Sequence, residues 1–231
     1  SESIINIRQK YKKCKKAIVR SCTHFFLYIY LMNLSVQNSP DIFRTVFQYL
    51  AAILCLILLI PVIVILIISI KATGKGPVIY SQKRVGRFGK SFVIYKFRSM
   101  HSGTEEGLPL LSAKKDNRIT ALGRFMRKHK IDEIPNLINV LKGEMSFIGP
   151  RPEQPFYINQ ILLRDPRYKQ LQLFKPGITS WGQVKFGYAS NVDEMIKRME
   201  YDLFYIENRS LWFDLKIAFY TTIIVFKGEG I

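Results

Sequence analysis

From Thr45 to Ile70 the chain runs for 26 residues without a charged side chain. A helix of that length matches the hydrocarbon thickness of a bilayer, so the run reads as a membrane element. Two features argue against a simple span. Pro61 stands in the middle, where it removes a backbone hydrogen bond and bends a helix. Both flanks are also basic. Arg8, Lys10, Lys12, Lys13, Lys15, Lys16 and Arg20 come before, and Lys71, Lys75, Lys83, Arg84 and Arg87 follow. A straight span would carry one basic flank to the outer side, against the positive-inside tendency. A re-entrant hairpin, broken at Pro61 and returning to the face it entered from, removes the conflict. A straight span with a tolerated kink is the alternative.

The remaining chain is long enough for one sizeable domain. A net charge of +18 over 231 residues requires an anionic partner. Nucleic acid, anionic lipid headgroups and phosphorylated substrates all qualify. The apolar run favours the last two, and no nucleic-acid partner is expected. Cys14, Cys22 and Cys55 are too scattered for a disulfide framework or a zinc site, which suits a reducing, cytoplasmic face. Residues 1–40 read as a basic, partly helical arm lying on lipid. The apolar piece from Phe25 to Leu34 lacks the small-residue cleavage pattern of a signal peptide.

The coarse organisation is an arm (1–40), a membrane helix (41–73) and a domain (74–231). Ser39 or Asp41 is placed near the cap of the membrane helix. Val78–Tyr80 and Phe92–Tyr95 are rich in β-formers and separated by Gly86 and Gly89, which predicts a short hairpin. Residues 101–117 are polar, carry Gly103, Gly107 and Pro109, and read as a mobile loop. Helices are expected over 119–129, 134–141, 191–208 and 211–226, with short helices or turns at 150–160 and 165–175. The fold class is therefore α+β, mainly helical: a re-entrant membrane helix beside a compact interfacial domain with short helices and a small β-hairpin.

Chemistry concentrates between residues 96 and 152. Asp132 and Glu133 are adjacent, so on a helix they diverge by about 100° and do not face each other as glycosidase carboxylates do. They can instead divide roles, one attacking phosphorus or binding metal while the other holds the geometry. A helix N-terminus there would favour their charge. Capping by Asp132 is the plainer reading. Arg124, Arg127, Lys128 and Lys130 just before, and Arg151 just after, favour the chemical one. Arg151 stands between Pro150 and Pro152, which fix the backbone beneath a guanidinium suited to bidentate phosphate contact. Lys96 and Arg98 share a face of their strand, either as a second phosphate clamp or as a solvated edge. The stretch from Lys175 to Gln183, with Trp181, either holds a nucleotide base or ribose or forms a loop over the core.

These stretches together resemble the bacterial sugar transferases, the monotopic polyprenyl-phosphate phosphoglycosyl transferases. The resemblance is carried by Gly76–Arg87, Tyr95–Met100, Ile131–Pro135 with Asn139–Gly143, Phe147–Pro152, Lys175–Thr179, and Tyr201–Ile206 with Leu215-Lys216. It covers roughly residues 41–231, in order and at family-like spacing. It implies transfer of a phosphosugar from a nucleotide diphosphate sugar, a UDP-sugar by expectation, to polyprenyl (undecaprenyl) phosphate, with release of a nucleoside monophosphate. It implies Asp132 as nucleophile and Mg²⁺ ligand and Glu133 as its partner. Lys96, Arg127 and Arg151 match phosphate-handling positions. Arg98, Lys175 and Trp181 join them as candidate substrate contacts. The setting it implies is the cytoplasmic face of a bacterial inner membrane, beside anionic lipids, at the first membrane step of surface glycan assembly. Homo-oligomerisation is left open.

The sequence departs from the family pattern at the helix break, where Ile60-Pro61 replaces Ser-Pro, and at Gln48, near an expected aspartate. A metal-dependent lipid diphosphate phosphatase and a non-enzymatic basic lipid-binding module are the rival readings.

Overall fold

The computed structural model describes residues 42–101, 103 and 116–230. The basic arm, the expected cap at Ser39 or Asp41 and most of the 101–117 loop lie outside the described residues. The chain divides into two compact units, 1–45 and 46–231. The second holds the body of the membrane helix and every element after it.

The apolar run forms α1, Ile42–Ala72, and it continues as one helix through Pro61, so the break expected at that proline does not interrupt the helix. Two antiparallel strands follow: β1, Ile79–Val85, and β2, Ser91–Phe97, paired so that Tyr80 faces Lys96. Both are longer than the sequence signal suggested, because polar residues such as Gln82 and Lys83 occupy positions in β1. Next come α2 (Ala121–Lys128), a 3₁₀ turn (Ile131–Glu133) and α3 (Asn136–Leu141). Strand β3 is Ser146–Ile148, and helices α4 (Pro155–Arg164) and α5 (Tyr168–Leu171) precede β4 (Gly177–Thr179). Helices α6 (Trp181–Lys185), α7 (Val192–Glu207) and α8 (Leu211–Lys227) complete the fold. β3 and β4 pair in parallel. At three residues each they are too short for alternation to reveal, yet they join the segment before Arg151 to the one before Trp181.

The fold is mainly helical with small sheets, as the sequence indicates. Its largest core gathers Tyr157, Ile161, Leu171, Trp181, Met199, Tyr205 and Ile217 from α4 to α8. Two further clusters seat α1. Tyr49, Ala52, Leu56 and Leu59, ahead of Pro61, pack with Phe92, Ile94, Leu137 and Val140. Ile63, Leu66, Ile67 and Ile70, beyond it, pack with Phe97, Leu122 and Met126. One face of α1 is thus bound to the domain on both sides of the proline. The other face leaves Leu50, Ile53, Leu54, Ile57, Leu58, Ile65 and Ile68 exposed. By length and composition α1 suffices to cross a membrane.

Candidate active site

The chain turns sharply at Lys130, and that turn aims the dyad. Lys130 adopts a left-handed backbone (φ 54°) that stops α2 and starts the 3₁₀ turn bearing Asp132 and Glu133. A non-glycine residue rarely takes this conformation, and such strain gathers at functional sites. The dyad therefore sits on a 3₁₀ turn ahead of a six-residue helix. The expected stabilisation by a helix N-terminus is lost, since α3 is too short and begins three residues later. Asp132 makes no capping bond here either: the N-cap of α3 is Pro135.

Three neighbours position the surrounding cations. Asn139, fully buried in α3, donates to Val93 O at 2.6 Å and to Glu144 Oε2 at 2.8 Å, which ties the dyad segment to β2 and so to Lys96. Thr120 caps α2 by accepting from Gly123 N at 2.9 Å. Gly123 lies so close to Ser99 that a Cβ would stand 1.9 Å from the Ser99 carbonyl oxygen. That approach lets Arg127 Nε donate to Ser99 Oγ at 2.8 Å. Asp202, buried in α7, accepts from Arg151 N at 3.2 Å and from Gly182 N at 2.7 Å, holding the Pro150–Pro152 segment against α6.

Lys96, Arg127, Lys130, Asp132, Glu133 and Arg151 converge on one cavity of about 580 Å³. Asp132 and Glu133 are 6% and 9% exposed, so their charges are largely removed from water. Lys96 Nζ donates to Glu133 Oε1 at 2.6 Å, and the Arg151 guanidinium stands 3.6 Å from the same oxygen. Burial alone would raise the Glu133 pKa. Lys96, Arg151 and Lys130 together outweigh it and hold the group well below the usual carboxylate range. Asp132 goes the other way. Burial raises it, Glu133 adds to the rise, and Lys96 and Arg127 only partly oppose it. Burial also lowers the Lys130 pKa, helped by Arg151 and Lys96. Seven cationic residues and four acidic ones line the cavity, so an anion is needed to balance it. Glu133 is thus an ionised, immobilised carboxylate, and among the described residues Asp132 carries none of the close cation contacts that occupy Glu133.

Of the sequence candidates, Lys96, Arg127, Arg151, Asp132 and Glu133 meet in this cavity. Arg98 also lines the cavity, and its guanidinium donates to Ile70 O and Gly74 O at 2.9 Å and to Lys75 O at 3.0 Å, finishing the carbonyl end of α1. Lys175 is not among the lining residues; burial and Arg87 lower its pKa. Trp181 is buried in the main core with its ring against Phe213 and Tyr220, and so is not presented to a nucleotide in the cavity. A large apolar ring gains more from the core than from a wet cavity.

Arg84, Glu153, Arg198 and Asp202 were not singled out from the sequence. Glu153 binds both Arg84 (3.5 Å) and Arg198, and all three line the cavity. A signal existed, because Arg198 and Asp202 fall four apart on the same face of α7 as Met195, Met199 and Leu203. A charged pair on an apolar face marks buried ionic work.

Mg²⁺ takes oxygen ligands and usually keeps waters and substrate phosphates, with only one or two carboxylates. Among the described residues no group of three acidic, histidine or cysteine side chains gathers anywhere. An adjacent carboxylate pair in a cavity suited to phosphates fits that sparse coordination.

Residues 39–228 match the bacterial sugar transferase family. The chain is 41% identical over 181 residues to the UDP-N-acetylgalactosamine-undecaprenyl-phosphate N-acetylgalactosaminephosphotransferase of Aeromonas hydrophila, covering 78% of this chain and 43% of that protein. It is 40% identical over 179 residues to the UDP-glucose:undecaprenyl-phosphate glucose-1-phosphate transferase of Escherichia coli K12 (77% and 38%). It is 34% identical over 227 residues to the undecaprenyl-phosphate galactose phosphotransferase of Salmonella typhimurium (90% and 45%). The chain spans less than half the length of each of these relatives. Asp132, Glu133 and the cations around them fall within the matched region, and the chain belongs to the bacterial sugar transferase family.

Proposed function

We propose that this chain transfers a sugar 1-phosphate from a UDP-sugar to undecaprenyl phosphate at a membrane surface. The observation that carries the reading is the unequal dyad. Glu133 is locked to Lys96 and Arg151, while Asp132 is buried beside it in a cation-lined cavity. Such a site suits phosphoryl transfer, where positioning and charge neutralisation do most of the work. Relatives 34–41% identical carry names for this reaction with three different sugars.

Arg127 and Arg151 bind the diphosphate and orient the sugar-bearing phosphorus toward Asp132. The Asp132 carboxylate attacks that phosphorus and forms a P–O bond. The bond to the second phosphate breaks, and its electrons leave with UMP. An oxygen of the lipid phosphate then attacks the same phosphorus, and the aspartyl O–P bond breaks to regenerate the Asp132 carboxylate. Mg²⁺, held by Asp132 and phosphate oxygens, would add charge neutralisation. Glu133 keeps Lys96 and Arg151 in register through both transfers.

For the membrane, a shallow, re-entrant seating of α1 on the cytoplasmic side of the inner membrane fits best. Its packed face binds the domain before and after Pro61, and its exposed apolar face needs lipid cover.

The test is a half-reaction. With UDP-sugar and Mg²⁺ but no lipid, one equivalent of UMP should appear and a peptide containing Asp132 should gain a phosphosugar mass. Asp132→Asn should lose both. A phosphatase would instead release inorganic phosphate from a lipid diphosphate, and a lipid-binding module would release nothing. Adduct formation on Asp132→Asn at the wild-type rate would refute the nucleophile.

A further inference from the structure

The segment after α8 forms part of the cavity wall. Gly228 caps the helix in the left-handed conformation (φ 68°), with its N–H 3.3 Å from Val225 O, and Glu229 N donates to Ile224 O at 3.0 Å. The segment then lies on the end of α2, where Gly230 N donates to Lys128 O at 2.9 Å. His129 Nδ1 is 2.7 Å from Val225 O, a second tie between the same two elements. Neither glycine has room for a side chain. A Cβ on Gly228 would stand 2.6 Å from Lys128 Cε, and one on Gly230 would stand 2.4 Å from Arg127 O. Glu229, between them, lines the cavity together with Arg127, Lys130 and Asp132. It is exposed, and its carboxylate has no hydrogen bond or ion pair among the described residues.

A carboxylate is an odd neighbour for phosphates. It repels them and cannot donate to them, but it accepts strongly from hydroxyl and amide N–H groups. In a nucleotide sugar those donors lie on the sugar and the nucleoside. The backbone at Gly230 abuts Arg127 and Lys130, the residues that lead into the Asp132 turn, and Glu229 lines the same cavity as Asp132; in the reaction proposed above, the donor-bearing part of the substrate next to the attacked phosphorus is the one this wall would meet. That part is the transferred sugar. The three relatives act on three different sugars, so groups outside the phosphate machinery must make the choice.

We propose that Glu229, fixed by its two glycines, is a specificity-determining residue that accepts hydrogen bonds from the hydroxyls of the transferred sugar. The assignment rests on the transferase reading.

The experiment measures UMP release by the full chain in lipid particles. Wild type, Glu229→Ala, Glu229→Gln and Gly230→Ala are each given UDP-glucose, UDP-galactose, UDP-N-acetylgalactosamine and deoxy analogues of the preferred sugar. Loss of a hydrogen bond to a charged acceptor predicts a fall in kcat/KM of roughly ten- to a hundredfold for the preferred sugar in Glu229→Ala. The analogue lacking the recognised hydroxyl should already be poor for wild type and should lose about twofold or less more in the variant. Gly230→Ala, which lifts the segment, should reproduce the same selective loss. An unchanged ranking of sugars, or an equal loss on all of them, would overturn the assignment. Failure of wild type to release UMP from any of these would bring down the transferase reading itself, and this assignment with it.

Discussion

At the scale of single residues, Asp202 and Arg151 show how a buried carboxylate serves a clamp it never completes alone. Asp202 takes two backbone N–H bonds, yet burial outweighs them and lifts its pKa from 3.8 to about 6. The folded state therefore holds this proton more tightly than the unfolded chain does. The stability that Asp202 contributes in its protonated form is fully present below about pH 4 and is lost as pH rises to about 6. Two pH units at a slope of about 1.4 kcal/mol each give a change in stability on the order of 3 kcal/mol. Chemical denaturation of Asp202→Asn in detergent should show that slope flattened relative to wild type. Parallel curves would mean that Asp202 titrates as an ordinary carboxylate. For Arg151, replacement by Lys keeps the charge but removes the planar fork. UMP release should fall roughly ten- to a hundredfold with thermal stability nearly unchanged. Kinetics close to wild type would leave Arg151 a structural turn.

At the scale of elements, the site is a meeting of β2, α2, the 3₁₀ turn and the Pro150–Pro152 segment, and its joints are polar. Asn139 is the clearest: it is fully buried and bonds both Val93 O and Glu144. Asn139→Ala strands the Val93 carbonyl and the Glu144 carboxylate, which predicts a loss of about 2–4 kcal/mol and a lower Tm. A Tm within about a degree of wild type would mean that water replaces the side chain without penalty. Much at this scale is legible in the sequence. The hairpin, α2, α3, α7 and α8 all show in apolar period and turn residues, and five of the residues that line the cavity show as charges in a cationic setting. Three things are not legible, each for a physical reason. β3 and β4 are too short for alternation. The left-handed turn at Lys130 uses a residue with no preference for that conformation. Trp181 and Lys175 sit in a stretch whose turns and small hydroxyls read equally well as a ligand loop, and only packing shows that Trp181 belongs to the core.

At the scale of the whole molecule, the question is how α1 meets the bilayer. Residues from Tyr49 to Ile70 touch the domain, a length of roughly 30 Å at helical rise. A helix crossing perpendicular to the membrane would have to pull one of its packed halves away from β2 and α3 or from α2. Burial of Leu66 and Ile70 alone is worth roughly 3–6 kcal/mol against that separation. On this packing both ends should stay on one side of the membrane, the cytoplasmic side in the seating proposed above. Single cysteines at Ser39 and at Thr73, in a cysteine-free background, should resist a membrane-impermeant thiol reagent in intact cells and react once the cells are opened. Labelling of Ser39 from outside would establish a spanning helix instead.

The seating of α1 also bears on the order in which the protein is made. Chains fold broadly from the first-made end, and α1 leaves the ribosome before β2, α2 and α3 exist. At that moment neither face is covered by the domain, and lipid can cover both. The domain must then fold against a helix already in the bilayer and displace lipid from one side of it. The nascent helix is in this sense a template. Mutations that weaken Ala52, Leu66 or Ile70 would damage biogenesis, with chain left in the membrane unfinished and open to proteolysis, before they touched the turnover of any molecule that matured.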